Sequence, residues 1–104
     1  MASRNRPPGL VSVGFQQIDL ADSTAVSLNS TMQAARVLRV TVETNPARYR
    51  DDGAVPALTT GVLLPTGSVI VFDGFTSATI ADVSFQRSTG NSKVSVLGYK
   101  YPSD

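Results

Sequence analysis

Two arginines and two aspartates in the middle of the chain have the types and spacing that could do chemistry. Arg48 and Arg50 are two positions apart, and Asp51 and Asp52 follow them directly. Residues two apart on a strand share one face, so the two guanidinium groups could hold one carboxylate, from these aspartates or from Glu43. Three interpretations stay open: an ion-pair network within the chain, a salt bridge between subunits, and contact with phosphate or nucleic acid.

The same aspartates do not predict a metal site or a hydrolytic site. A calcium loop needs alternating oxygen ligands and a later glutamate, which the residues after Asp52 do not supply. A carboxylate pair for acid and base catalysis must face one cleft, whereas neighbours in sequence diverge. Gly53 directly after the aspartates predicts a tight turn. The other glycines lack the spacing of a phosphate-binding loop, so we expect no cofactor.

The composition excludes several classes of function. The 104 residues include no cysteine and no histidine, which removes disulfides, Cys-based metal sites and the commonest general base. Nine Lys and Arg against eight Asp and Glu leave no basic excess for a nucleic-acid partner. No apolar run is long enough to cross a membrane. We therefore expect a non-enzymatic protein made in the cytoplasm of its host.

The elements that must position the arginines are β-strands. Leu38, Val40 and Val42 alternate with polar residues at the period-two spacing of a half-buried strand, and Ala47–Arg50 forms a second strand after a break at Asn45. The segment from Ser30 to Val37 supports one helical turn at most. Further strands are predicted at Leu10–Leu20, with a bulge near Gly14–Gln17, and at Thr24–Leu28, Val62–Leu64, Ser68–Asp73, Thr79–Arg87 and Ser92–Tyr99.

These signals together predict an all-β fold. Seven to eight short strands separated by turn signals indicate an antiparallel β-sandwich or small barrel. Ser88–Asn91 is typical of a hairpin connection between the last two strands. Residues 10–104 form one β-sandwich domain in this interpretation, and residues 1–9 form a flexible N-terminal arm. Arg4 and Arg6 give that arm its charge and are candidates for contact with a neighbouring subunit.

The most apolar strand is the one from Val69 to Phe72. Four consecutive apolar residues predict that both faces of this strand are covered. It would then lie either at the centre of a sandwich or where a subunit interface covers the outer face. Val69 and Val71 are accordingly candidate assembly residues.

One stretch also resembles a known group of proteins. The segments VTVET, ARYRDDG, PALTTG and VLLPTG occur in this order between Val40 and Gly67. This order resembles small virion-associated structural proteins of tailed bacteriophages. The final strand, from Val94 to Tyr101, matches loosely, and residues before Gln33 match little beyond their β character.

The resemblance implies a β-sandwich structural component of the phage particle, without enzymatic activity. It implies a capsid decoration or cement protein that binds and stabilises the capsid exterior as a symmetric dimer or trimer, with the major capsid protein or another virion protein as partner. A tail, head-tail joining or fibre-adaptor component is the alternative. A carbohydrate-binding surface module is a third hypothesis, and it would need a cluster of exposed aromatic side chains.

Overall fold

The computed structural model describes residues 9–21, 24–73, 80 and 82–102 of the chain. Within them, eight strands form two four-stranded antiparallel sheets that pack as a β-sandwich, so the predicted fold class is confirmed. The strands are β1 (Val11–Leu20), β2 (Val26–Ser27), β3 (Val37–Thr44), β4 (Ala47–Arg50), β5 (Val62–Leu64), β6 (Val69–Phe72), β7 (Ser84–Arg87) and β8 (Ser92–Lys100).

The strands are divided between the sheets so that the chain repeatedly crosses the sandwich. Sheet I has the order β1-β8-β3-β6, and sheet II has the order β2-β7-β4-β5. Only β4 and β5 are consecutive strands in the same sheet. All other connections pass from one sheet to the other, which places the two edge strands β5 and β6 on the same side of the sandwich.

Period-two alternation builds the core as the sequence predicts. Leu38, Val40 and Val42 on β3 point inward and are at most 1% exposed. Val96 and Val94 on the neighbouring β8 pair with Val40 and Val42 and are fully buried. The predicted inward residues of β3 and β8 are therefore confirmed.

An aromatic pair joins the two sheets at their β4 and β6 strands. The rings of Tyr49 and Phe72 meet edge to face, with centroids 5.1 Å apart and an interplanar angle of 87°. Such a pair contributes about 0.5–1.5 kcal/mol beyond its buried area. Because Tyr49 points inward, Arg48 and Arg50 lie on the other face of β4, as predicted.

A single 3-10 turn, Met32–Ala34, closes one end of the sandwich, which confirms the prediction of no more than one helical turn. The buried side chains of Met32 and Ala35 lie against Gly98 on β8. A Cβ atom on Gly98 would be 2.8 Å from Met32 Cε and 3.2 Å from Ala35 Cβ. A side chain at this position would therefore require the end of the Met32 side chain to shift.

The bulge in β1 lies earlier than predicted. The register with β8 shifts between Ser12 and Gly14, which leaves Val13 as the extra residue. Val13 packs against the core, and Phe15 points outward after the bulge. An extra residue reverses the alternation beyond it, because side chains change faces at every position.

The prediction that β6 could be central is wrong, because β6 is the edge strand of sheet I and pairs only with β3 among the described strands. A β-turn closed by the bond from Ser68 N to Pro65 O (3.0 Å), with Gly67 at φ +85°, leads from β5 into β6. This confirms the predicted turn. Such a short turn moves the chain from the edge of sheet II directly to the edge of sheet I.

The hairpin prediction for Ser88–Asn91 is also wrong. This segment joins β7 in sheet II to β8 in sheet I, and it runs beside the corner between β3 and β4. Asn45 at that corner adopts φ +55°, which asparagine tolerates, and its Nδ2 donates to Asn91 O at 2.7 Å. Ser92 Oγ donates to Asn45 O at 2.9 Å. These bonds between two adjacent corners replace the ladder bonds of a hairpin.

Two predicted strands are shorter in the structure. The predicted strand Thr24–Leu28 forms only over Val26–Ser27, and Leu28 is buried as expected. The predicted strand Thr79–Arg87 forms over Ser84–Arg87. Thr79 and Ala81 lie outside the described residues.

Candidate functional site

The outer face of sheet I carries a cross-strand row to which three of the four strands contribute an apolar side chain. The pairing register aligns Phe15, Leu97, Arg39 and Val71, one residue from each strand. Phe15 and Val71 are each 57% exposed, and Val69 next to Val71 on β6 is 51% exposed. Leu97 and Arg39 are half-buried between them. We call Phe15, Leu97, Val71 and Val69 the apolar row; Arg39 lies between Leu97 and Val71 in the register.

The end of this face around Glu43 is polar. Gln17 Nε2 donates to Glu43 Oε2 at 2.8 Å, and Ser95 Oγ donates to the same oxygen. These two hydrogen bonds, the Ser95 bond first, lower the pKa of Glu43. Asp19 and Lys93 form an ion pair at 3.8 Å beside this cluster. The outer face therefore has an apolar half and a polar half, which gives any bound partner one orientation.

Arg50 and Asp52 form an ion pair within the chain. Arg50 Nε donates to Asp52 Oδ1 at 3.0 Å, and Nη2 donates to Oδ2 at 2.5 Å, which is the bidentate geometry. This contact lowers the pKa of Asp52 and raises that of Arg50. Asp52 Oδ1 also accepts from the Ala54 amide at 3.3 Å, and Gly53 adopts φ +86°. The predicted tight turn is confirmed.

Arg48 has a different role from Arg50, although both lie on one face of β4. Its Nε donates to Leu58 O at 2.9 Å, and its Nη1 donates to Gly61 O at 3.0 Å. Among the described residues, its hydrogen bonds thus go to backbone carbonyls and not to a carboxylate. These bonds hold the loop between β4 and β5 on the outer face of sheet II, where Pro56 is buried.

A pocket of about 320 Å³, open to solvent, lies where this loop meets the strands. Asp51 lines it and is exposed, and Tyr49 forms part of its wall. Burial raises the pKa of Tyr49, and the nearby Asp51 carboxylate raises it further. Because Asp52 already holds Arg50, the pocket presents no unpaired guanidinium group for an anion. Its lining consists of Tyr49, Arg50, Asp51, Asp52, Gly61 and Val62.

The predicted assembly residues fall in two different parts of the sandwich. Arg48, Arg50, Asp51 and Asp52 lie on sheet II and its loop, whereas Val69 and Val71 lie on the open edge of sheet I. Arg4 and Arg6 lie outside the described residues. The structure does not combine the charged loop and the apolar strand into one cluster.

Sequence reasoning missed the outward position of Phe15 and the role of Leu97. The signal was present in β1, because Phe15 has the same parity as the polar residues Gln17 and Asp19. A second set of exposed apolar residues was also missed, because a short apolar run does not show which of its side chains stay exposed. They lie on the β4–β5 loop and on β5: Val55, Leu58, Val62 and Leu63.

The described part of the chain contains no group of three or more Asp, Glu, His or Cys side chains that could hold a metal ion. None of its helical segments has the length and hydropathy needed to span a membrane. Comparison of the chain with protein-family models, curated proteins and solved structures finds no significant match in any of the three. Fold and site together define a two-sheet β-sandwich protein with an exposed apolar row on one sheet.

Proposed function

We propose that this chain is a structural protein of a tailed-bacteriophage particle, a decoration or cement protein that binds and stabilises the capsid exterior as a symmetric oligomer. The observation that carries the proposal is the apolar row, with Phe15 and Val71 each 57% exposed. Exposed apolar side chains that are gathered on one sheet face and bordered by polar ones are typical of a protein contact surface. In an isolated monomer the apolar row would have no partner to contact.

The chemistry of the row indicates what the partner surface must offer. Phe15 and Leu97 supply apolar area, and Arg39, which lies between Leu97 and Val71, supplies a guanidinium group, a combination enriched at protein interfaces. The Glu43 cluster and the Asp19–Lys93 pair form a hydrated border on one side. The partner therefore presents an apolar patch.

The assignment to a phage particle is supported by the resemblance of the stretch from Val40 to Gly67. In the structure this stretch forms most of β3, then β4, the ordered loop and β5. A cement protein works by moderate binding energy repeated over many copies, so it needs contact surfaces and no catalytic groups. The N-terminal arm with Arg4 and Arg6 belongs to the same proposal as a second contact with a neighbouring subunit.

Each alternative hypothesis requires a different feature of the surface or of the partner. A carbohydrate-binding module would need exposed aromatic rings side by side. The large exposed aromatic side chains of the described residues are Phe15 and Tyr101. Phe15 lies opposite Leu97 in the sheet, and Tyr101 follows Leu97 by four residues, so the two rings do not lie side by side. A tail component would use the same apolar row, so the partner itself separates this alternative from decoration.

The test is co-sedimentation of the purified protein with undecorated capsids and, separately, with isolated tails of the same phage. We expect pelleting with capsids, a clear loss of pelleting for Phe15→Gln, and wild-type behaviour for Val55→Gln. Val55 is 69% exposed on the β4–β5 loop, so it controls for the loss of any exposed apolar side chain. A chain lacking residues 1–8 tests the arm, and unchanged affinity would remove the arm from the proposal.

Two outcomes would overturn the assignment. Binding to tails but not to capsids would make the protein a tail component, and binding to neither would remove the phage proposal. Equal loss for Phe15→Gln and Val55→Gln would show that the apolar row is not the contact surface. Circular dichroism of each variant establishes that it is folded before its binding is compared.

A further inference from the structure

The edge strand β6 offers both backbone and side-chain groups without a partner. Val42 N donates to Ser68 O at 3.0 Å, so Ser68 faces β3 in the antiparallel ladder. Because the bonding direction alternates along a strand, Ile70 and Phe72 also face β3, while the N–H and C=O groups of Val69 and Val71 point away from the sheet. The described residues supply no partner for these four groups.

This edge also lacks most of the features that keep edge strands apart, although β6 is only four residues long. Neither β6 nor the adjacent edge strand β5 contains a charged residue, a proline or a bulge. Val69 and Val71 are more than half exposed. On β5, Val62 is 51% exposed and Leu63 is 46% exposed. An uncharged edge of β-branched residues is a template for another strand.

We propose that β6 pairs antiparallel with β6 of a second copy of this chain, about a twofold axis through Ile70. This inference deepens the proposed function, since it names the contact that makes the symmetric oligomer. In this register Val69 lies opposite the partner's Val71, so all four outward backbone groups of each copy are bonded. Ile70 lies opposite Ile70 of the second copy, and the two form a non-hydrogen-bonded pair. The result is a continuous eight-stranded sheet.

The two neighbouring registers fit less well. With the axis through Val71, Arg39 of one copy and Arg39 of the second copy would lie in the same cross-strand row. The Asp73 carboxylate would then lie opposite Val69 of the second copy. An axis through Val69 pairs Val71 with Gly67, whose N–H already donates to Val42 O at 2.8 Å. The axis through Ile70 avoids both conflicts, because it places Arg39 in line with Thr41 of the second copy and Asp73 opposite Gly67, which has no side chain. The charge pattern and the hydrogen bonds thus select a second copy in a single register.

The experiment uses the absence of cysteine from the chain, which makes any introduced thiol the only one. Light scattering should give twice the chain mass for the wild type, and oxidation of Ile70→Cys should give a covalent dimer on a non-reducing gel. Val71→Cys should not cross-link under the same conditions, because position 71 of one copy and position 71 of the second copy are diagonal neighbours, about 7–8 Å or more apart. Val71→Lys should lose the doubled mass. Phe15→Lys is its control, since Phe15 is equally exposed but lies on the far strand of the sheet.

A monomeric mass up to millimolar concentration, or faster cross-linking of Val71→Cys than of Ile70→Cys, would overturn the inference. If Ile70→Cys does not fold, the double variant Val69→Cys/Val71→Cys tests the same register, because each thiol then faces the other across the axis. The proposed function fails separately. A dimer that ignores capsids refutes the decoration role and leaves this pairing intact, whereas a monomer that binds capsids refutes this pairing and the symmetric oligomer and leaves capsid binding intact.

Discussion

Gly98 gives the sharpest test of how the sandwich is closed beside the apolar row. In Gly98→Ala, the new Cβ would lie 2.8 Å from Met32 Cε and 3.2 Å from Ala35 Cβ. Met32 and Ala35 are fully buried, so the thioether end can move only within the core. Overpacking of this kind costs about 1–3 kcal/mol. Replacing a strand glycine returns ~0.5–1 kcal/mol by reducing backbone entropy loss. We expect a net destabilisation on the order of 1 kcal/mol.

A double-mutant cycle separates this steric cause from a general effect of substitution. Met32→Ala alone should cost roughly 2–5 kcal/mol through the cavity that it leaves. The added methyl of Gly98→Ala partly fills that cavity, so the double variant should be less destabilised than the sum of the single variants, by on the order of 1 kcal/mol. Urea denaturation at constant m-value measures all four proteins. Costs that add to within about 0.5 kcal/mol would refute the contact.

Arg48→Lys should loosen the β4–β5 loop, because an ammonium group cannot reach the carbonyls of Leu58 and Gly61 with the fork of a guanidinium group. Proteolysis should then cut this loop faster than in the wild type with a nearly unchanged unfolding midpoint, and an unchanged cutting rate would contradict the anchoring role. The lowered pKa values of Asp52 and Glu43 stabilise the folded state above the ordinary values of 3.8 and 4.5, and this contribution is lost as pH falls through the lower folded values. Urea midpoints should therefore fall below about pH 5, less steeply for Asp52→Asn and Glu43→Gln, and equal slopes in all three proteins would contradict the assignment.

The sequence was sufficient for the strands whose pattern is local. Leu38, Val40 and Val42 alternate without interruption, and Ala47–Arg50 is bounded by a proline corner and an aspartate turn, so the strand positions follow from residue type alone. The confirmed turn at Gly53 has the same origin, since a single glycine adopts the positive φ that the turn requires.

The position of each strand within its sheet could not be read in the same way. β6 is apolar at four consecutive positions, which is the pattern of a central strand, yet it lies at an edge. Strand pairing depends on segments that are distant in sequence. The residue types of Val69 and Val71 do not indicate whether another strand pairs with the far side of β6. The candidate site has the same limitation. Phe15 belongs to the apolar row only because the bulge lies at Val13, and a bulge two residues later would have turned it toward the core.

The two edges of sheet I differ in a way that limits assembly to a closed pair. If β6 of one copy paired with β1 of the next, the contact would be head to tail and would extend into a filament. The bulge at Val13 interrupts the regular bonding pattern of β1, and Asp19 places a charge near its other end, so β1 carries the protection that β6 lacks. Pairing of β6 with itself therefore closes after two copies.

The geometry of the proposed pair would favour the proposed capsid binding. A twofold axis perpendicular to the sheet keeps the outer face of sheet I on the same side in both copies. Both apolar rows then point in one direction and can contact one surface at the same time. Two linked contacts raise the overall affinity well beyond that of either one, because the second forms at high effective concentration. Val71→Lys should consequently weaken capsid binding more than the loss of one valine contact can explain.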